Sequence, residues 1–594
     1  MKKYILISIA LCTGLLSSCN KFLEGGEVPN KIPAMEFFTN ESSLNTYTNG
    51  FLNSYMPATS TLTYGDQYAD YMAKINVNNF YIGNWDSNQQ GGWSSGDWAM
   101  LYNVNYFLKN MKGAAPNVSE EVMKHYEGVG RFWRAWFYYD MVKTFGAVPW
   151  YDEPIDAEDE VALYKKRDNR EYVMSKILED LNFAAENCLT TAAYVNKGVI
   201  NGYIANAFKA RVCLWEGTYR KYHQNDPSTD KPWTNEYGTG TDYLNACLAA
   251  CNVIMESGKY SIKSSTKYRD IFLSTSVPYD EVLWAREYSL TQNAYHNTTS
   301  TFNSSSGGGC WNMTKGFLNT YLHTDGSRHT DKAGYKSMAF TDELADRDNR
   351  LLQTIMGPGY IKNQDKVDVE YSVFVNPSFF KTGYWICKWM LPSNQYEGNT
   401  TCPNSLPIFR YAEVLLNYAE AKAELGQFNV DKDWDKTIGV LRTRAGVAPT
   451  APKESDKYLI EYFDKTVSDK YLLEIRRERG IELYMEGLRY EDLMRWKLGH
   501  LISRKWEGMY CPLNQPQAYN STKDKFVCIV QSKAGNDPNT TYFVLDKNPY
   551  HSINADGCVE FQQIERVWND RMYLRPIPET AISINNNLEQ NPGW

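Results

Sequence analysis

A chain of 594 residues with 62 Lys and Arg against 70 Asp and Glu carries a formal charge of −8. It has no basic block, which argues against a nucleic-acid partner. Beyond its first residues it has no run of about 18 apolar residues, so nothing in the body reads as a membrane span.

The first segment reads as an export signal. Lys2 and Lys3 precede an apolar stretch, Tyr4 to Leu16, that is too short to span a bilayer as a mature helix. It ends in Leu16-Ser17-Ser18-Cys19, small residues before a cysteine, as a lipoprotein signal peptidase requires. Residues 1–18 are therefore expected to be removed and Cys19 to be acylated. Two or three acyl chains hold a protein on a bilayer almost permanently. Cleavage also removes Lys2 and Lys3, taking the formal charge from −8 to −10. The polar, Gly-containing stretch Asn20 to Glu27 then reads as a tether. Cys12 leaves with the signal, and ten cysteines remain in the body. They form no zinc-type spacing, a few disulfides are possible, and several are expected to be buried thiols.

The body reads as mainly α-helical. Asp97 to Met111 is expected to pair with a long helix that Ser119 caps, with Glu120 and Glu121 in its first turn and a stop near Gly146. That helix is apolar around most of its circumference, so it is expected between neighbours. Further helices are expected at Arg170–Cys188, Ile200–Glu216, Tyr243–Ser257, Ile408–Leu425, Trp434–Arg444 and Tyr471–Lys497. Hairpins of this kind, burying alanines against aromatics, suggest tetratricopeptide-like packing into a superhelical scaffold, although no segment fits the full repeat consensus.

Long stretches between the helices read as irregular: Thr59–Asp97, Ser274–Asp348 and Met509–Asn569. Loops of that length in a compact protein are usually functional. The chain holds 17 Trp, 44 Tyr and 24 Phe, many in loops rich in Asn, Gly and Ser. Such loops suit polar ligands with flat apolar faces, such as sugars. A pyranose stacks its C–H face on indole or phenol, and its hydroxyls need polar partners at the edges. In the first loop Trp85 and Trp93 are candidate platforms, with Tyr64, Asp66, Gln89 and Gln90 at the edges. Trp98, at a helix start, is either platform or packing. In the second loop Tyr295, His296 and Trp311 are the candidates.

Other constellations read as structural. Glu478, Glu482 and Glu486 share one helical face, but Arg476, Arg477, Arg479 and Arg489 crowd the same segment, which indicates an ion network rather than an acid/base pair. Glu413 and Glu420 lie ~10.5 Å apart along an axis, far for a glycosidase pair on one helix. His323, Asp325 and His329 match no metal spacing, and a turn at Asp325-Gly326 explains them. No nucleophile elbow, His-Glu-x-x-His or Walker loop occurs. Neither catalysis nor a cofactor nor a metal is expected.

Several stretches resemble the SusD/RagB family of outer-membrane nutrient-binding lipoproteins. They are the lipobox at Cys19; Arg134-Ala135 with Tyr138 and Phe145-Gly146-Ala147-Val148-Pro149; and Arg410-Tyr411-Ala412-Glu413-Val414-Leu415-Leu416 with Tyr418-Ala419-Glu420-Ala421. Further along come Arg442-Thr443-Arg444-Ala445-Gly446, Glu478-Arg479 with Glu482-Leu483 and Glu486-Gly487, and the C-terminal Asn587-Leu588-Glu589-Gln590-Asn591-Pro592-Gly593-Trp594. The resemblance implies an α-helical body with four tetratricopeptide-like helix pairs and irregular ligand loops. Region 19–225 would be the N-terminal part and 270–594 the C-terminal part of one intertwined unit. It further implies a glycan or oligosaccharide ligand and a SusC-like TonB-dependent transporter as partner, at the outer membrane. Peptide-linked members make a peptide ligand the alternative, and a surface hydrolase is the more distant one.

Overall fold

The computed structural model describes residues 34–89, 91–265, 267–303, 311–361, 380–397, 401–519 and 525–594. The export segment, Cys19 and its tether, Gln90 and Cys310 lie outside them. Among the described residues no helix is long and apolar enough to cross a membrane.

Numbering only the longer elements, the helices are α1 (Glu41–Tyr55), α2 (Ser95–Asn110), α3 (Glu120–Phe145), α4 (Arg170–Asn187), α5 (Gly202–Tyr222), α6 (Gly240–Glu256), α7 (Tyr411–Glu424), α8 (Lys470–Glu482), α9 (Arg489–Arg495) and α10 (Glu579–Ile584). From α2 to α8 each helix packs on the next in the chain. The strands are β1 (Val282–Arg286), β2 (Leu406–Arg410), β3 (Trp506–Tyr510), β4 (Phe526–Val530), β5 (Thr540–Val544), β6 (His551–Ile553) and β7 (Cys558–Phe561). β1 pairs antiparallel with β2, β7 lies between β6 and β3, and β4 pairs parallel with β5. The fold is a helical body with short strands, as its periodicity indicates.

The Ser119 cap forms: its Oγ accepts from Val122 N–H at 3.4 Å. α3 stops at Gly146, whose φ of 74° is left-handed and whose missing Cβ would meet Ser228 at 2.6 Å. Between these ends α3 presents an aromatic seam. Trp136 lies 4.6 Å from Phe208 of α5, and Trp133 lies 6.0 Å from Trp284 of β1, which is stacked on Phe409 of β2. Each such side chain contributes about 1.5–3 kcal/mol when fully buried. The N-terminal helices and the β1–β2 ribbon thus share one core.

Several boundaries differ from the periodicity: α5 runs on to Tyr222 rather than ending at Glu216, and β1 and a short helix at Thr59–Tyr64 lie in stretches read as irregular. Ile408 to Arg410 end a strand rather than begin a helix, and α7 starts at Tyr411. The segment 509–569 holds paired strands rather than loop alone. The helix read over 471–497 breaks after Glu482, with Met485 at φ 56° and Gly487 at φ 78°. The break exposes new backbone donors, and Asp66 accepts from Gly487 N–H at 2.9 Å and Arg489 N–H at 2.7 Å. A carboxylate 423 residues upstream of Arg489 thereby caps α9.

The arginine and glutamate ladder of α8 is buried. Glu482 accepts from Arg350 at 2.9 Å, Arg410 at 3.0 Å and Arg444. Glu478 accepts from Arg350 at 2.5 Å and Arg442 at 3.2 Å, and Glu486 from Arg410 at 2.7 Å and Lys388 at 2.8 Å. Glu281, the residue before β1, joins through Arg410 and Arg444, each at 2.7 Å. Burial pushes the Glu482 carboxyl up, but Arg444, Arg410 and Arg350 outweigh it and hold it well below the usual carboxylate range. The nine described cysteines are free and buried.

Replacing Glu482 by Gln leaves three guanidinium groups short of a charge in a dry site. We expect a loss of about 3–5 kcal/mol in urea unfolding, or no folded protein, and an unchanged midpoint would refute this. Glu120→Gln, in an exposed pair with Lys124, is expected to leave the midpoint unmoved.

Buried histidines set the acid limit. Burial lowers His125, His296 and His551 to about 4 and His223 to about 3. Below pH 6.5 the unfolded chain therefore binds protons that the folded chain refuses, and stability falls as the pH drops towards 4. Each histidine contributes up to about 1.4 kcal/mol per pH unit in that window. Asp66, raised to about 6 by burial, has the opposite sign and offsets part of this between pH 6 and 4. Urea midpoints are expected to decrease steadily from pH 7 to 6 to 5, and a midpoint that rises over this range would contradict the assignment.

Candidate functional site

A groove of about 670 Å³ opens where the N-terminus of α2, the strap that follows α3 and the C-terminal segment around α10 converge. Trp93, Trp98 and Tyr151 supply its aromatic surface, and Asn88, Ser95 and Asn585 are among its polar groups. A second hollow of about 340 Å³ adjoins it and shares Ser95, Trp98, Tyr151 and Ile155. Trp98 and Tyr151 therefore stand at the junction of the two.

Local sequence explains the indole pair. Ser94 caps α2 reciprocally: its Oγ accepts from Asp97 N–H at 3.3 Å, and the Asp97 carboxylate accepts from Ser94 N–H at 2.7 Å. Trp93 then precedes the cap and Trp98 is the fourth helical residue, the two positions of a hydrophobic staple. Their rings meet edge to face at 5.5 Å. Behind them Trp93 rests on Phe145 at 4.9 Å and Trp98 on Phe137 at 5.3 Å, so α3 backs the platform.

The opposite walls come from far away in sequence. The Tyr138 hydroxyl accepts from Tyr151 N–H at 2.6 Å, and the Tyr151 hydroxyl donates to the Ala162 carbonyl at 2.7 Å. Arg134 holds Asp180 with two bonds of 2.7 Å, locking α3 to α4 beneath this strap. The C-terminal segment is stitched on by amides. Asn585 donates to the Lys165 carbonyl at 3.0 Å, Asn587 to the Tyr164 carbonyl at 2.7 Å, and Asn591 to the Phe145 carbonyl at 3.0 Å. At its tip Trp594 stacks on Phe80 at 5.9 Å, and the Arg571 guanidinium lies 4.5 Å from its ring.

The structure brings Trp93 and Trp98 together and separates the other candidates. Trp85 belongs to the Trp594 cluster: it donates to the Phe80 carbonyl at 2.9 Å, with Arg571 over its ring at 3.9 Å. Tyr64 stacks at 4.9 Å on Trp311, which is 3% exposed and wedged against Phe302. Trp311 is a core residue because the short strand that follows it is flanked on both edges: Asn312 and Met313 pair with Ala73 and Met72, and with Trp385 and Tyr384. Asp66 is fully buried, its oxygens committed to the α9 cap and to the Tyr71 hydroxyl at 2.8 Å. His296 is 4% exposed and meets the Asn404 carbonyl at 2.9 Å while accepting from Thr298 N–H at 3.2 Å. Asp66 and His296 thus spend their polar atoms inside the protein, and Trp311 is closed off by its burial. Tyr295 is 41% exposed but does not line the groove. Gln89 sits on the turn Ser87–Gln89 that leads into it.

The acidic and histidine constellations are committed elsewhere. Glu413 is held by Arg211 and Glu420 by Arg495. His329 and His323 approach to 3.3 Å, while Asp325 caps Ser327 N–H at 2.8 Å. Burial, Arg347 and Lys332 lower both imidazoles, surroundings that repel a metal cation. Among the described residues no three His, Cys, Asp or Glu groups converge as metal ligands.

Tyr151, Asn88, Ser95 and Asn585 line the groove, and none was legible there from the sequence. Tyr151 comes soon after the Gly146 stop of α3, a weak local signal, and Asn585 has none.

Residues 280–594 match the SusD family, and residues 33–203 match a family described as "Starch-binding associating with outer membrane". A SusD-like protein of Formosa agariphila is 22% identical over 189 residues, which is 32% of this chain and 30% of that relative. Among solved structures, a SusD-like protein of Bacteroides fragilis superposes with a TM-score of 0.68 at 21% identity, covering 95% of this chain and 100% of the other. A SusD-like carbohydrate binding protein of the same organism gives 0.66 at 20% identity, covering 93% and 100%. With one family match covering more than half of its length, and helices packed in the order described, the chain belongs to the SusD family.

Proposed function

We propose that this protein binds a glycan or oligosaccharide at the Trp93–Trp98 groove and passes it to a TonB-dependent transporter in the outer membrane, to which acylated Cys19 tethers it. The observation that carries the ligand class is the stapled indole pair at the rim of a groove whose hydrogen-bonding groups are neutral apart from Lys165, itself paired with Asp168. Indole and phenol faces take the C–H surface of a pyranose, while Ser, Asn and Thr side chains meet its hydroxyls. The two adjoining hollows give room for more than one sugar ring, with Trp98 at the step between them. The carbohydrate-binding relative and the family description support the same reading. The protein acts by capture and release, so turnover is not part of this function: the carboxylates Glu413, Glu420 and Glu482 are all bound to arginines.

Affinity electrophoresis and calorimetry of the folded body against a polysaccharide panel test this directly. Trp98→Ala is expected to weaken binding by about tenfold or more, since an aromatic contact is worth about 0.5–1.5 kcal/mol beyond its buried area. Trp98→Phe keeps the staple and recovers part of it, and Tyr550→Ala, exposed elsewhere, leaves binding unchanged. A folded protein that ignores every glycan, or a Trp98→Ala variant that binds as the parent does, rejects the assignment. Sustained release of product sugars would reject the capture role.

A further inference from the structure

The groove carries little charge. Lys165 is the one charged side chain among the described residues that line it. Its ammonium is already neutralised by Asp168 at 2.6 Å, and one of its N–H bonds goes to the Trp150 carbonyl at 2.9 Å. Glu153 is the one charged side chain of the adjoining hollow, and it pairs with Lys109 at 3.2 Å. Neither surface keeps an unpaired cation for an acidic sugar.

The strap that forms the wall also carries an acidic lip. It reads Asp152-Glu153-Pro154-Ile155-Asp156-Ala157-Glu158-Asp159-Glu160, and all six carboxylate residues are exposed. Ile155 lines both hollows, with Asp156 next to it in the chain, and Leu163, one helical turn after Glu160, lines the groove. Neighbouring Cα atoms are about 3.8 Å apart, so the nearest of these charges fall within a Debye length of about 8 Å at physiological salt. The basic side chains on the same strap are Lys165, Lys166 and Arg167, and Arg167 is turned towards Asn591 at 2.6 Å. The acids outnumber them.

We infer that the groove is built for uncharged glycan chains, and that the 152–160 lip turns away polyanionic ones such as sulfated or uronate-rich polymers. This rests on the glycan reading above and narrows its substrate class. A polymer with closely spaced anions meets no free cation in the groove and must lie beside like charges at its edge, where repulsion costs most at low salt. A neutral chain is indifferent to both.

Matched pairs of polymers test it: dextran, laminarin, mannan and xylan, each beside its own sulfated form, titrated by tryptophan fluorescence and calorimetry. The variant carries Glu158→Gln with Glu160→Gln, two exposed side chains without ion pairs among the described residues. We expect at least one neutral polymer to bind, with its sulfated form about tenfold weaker or more at about 20 mM salt and the gap narrowing at about 300 mM. The same gap is expected to shrink in the variant. A sulfated form that binds as well as its neutral parent overturns the inference. A gap indifferent to both salt and the variant overturns it too, since shape alone would then discriminate. Silence from every polymer in both forms has a different signature: it removes the glycan reading itself and the inference with it.

Discussion

The structure depends on a buried carboxylate, Glu482, held by three guanidinium groups from three distant parts of the chain. Arg350, Arg410 and Arg444 converge on it, and Glu281 bridges two of them. An ion taken out of water is tolerated only when its partners are complete. The helix that carries Glu482, the ribbon that ends at Arg410 and the helix that ends at Arg444 must therefore arrive together, in one register. A core of aliphatic side chains could slide; this one has a defined arrangement because each charge has a defined partner.

From that knot the constraint spreads outward. α8 breaks immediately after it, and the break leaves donors that Asp66 satisfies, drawing the first irregular segment onto the C-terminal helices. The β1–β2 ribbon, anchored by Glu281 and Arg410, presses Trp284 and Phe409 against the α3 seam. α3 in turn backs the groove through Phe137 and Phe145. The groove lies far from the charges in the chain, yet its rear wall is positioned by elements that the charges hold.

Much of this was legible in the sequence where the signal is local. The Ser119 cap, the Gly146 stop, the stacked glutamates among arginines and the Trp93–Trp98 region all announce themselves within a few residues. What failed was long-range. Nothing near Asp66 says that its oxygens will cap a helix at residue 489, and nothing near His296 or Trp311 says that other segments will close over them. Polar and aromatic residues in a long loop read alike whether they face water or the core. The break after Glu482 was hidden for a related reason: the helical pattern continues through it, and Met485 adopts a left-handed conformation that its residue type does not suggest. Asn585, nearly 490 residues from Trp98, could not be assigned to the groove by any local rule.

The amide-stitched C-terminal segment has a consequence in time. A ribosome releases this chain from its N-terminus, and residues up to 578 already include α1 to α9 and every strand described. At that moment the stapled tryptophans exist but face an unfinished trough, because α10 and the asparagines that dock it have yet to arrive. The groove gains this wall only when residues 578–588 fold back, so a chain lacking them would keep nearly the whole scaffold and yet leave Trp93 and Trp98 facing an open trough.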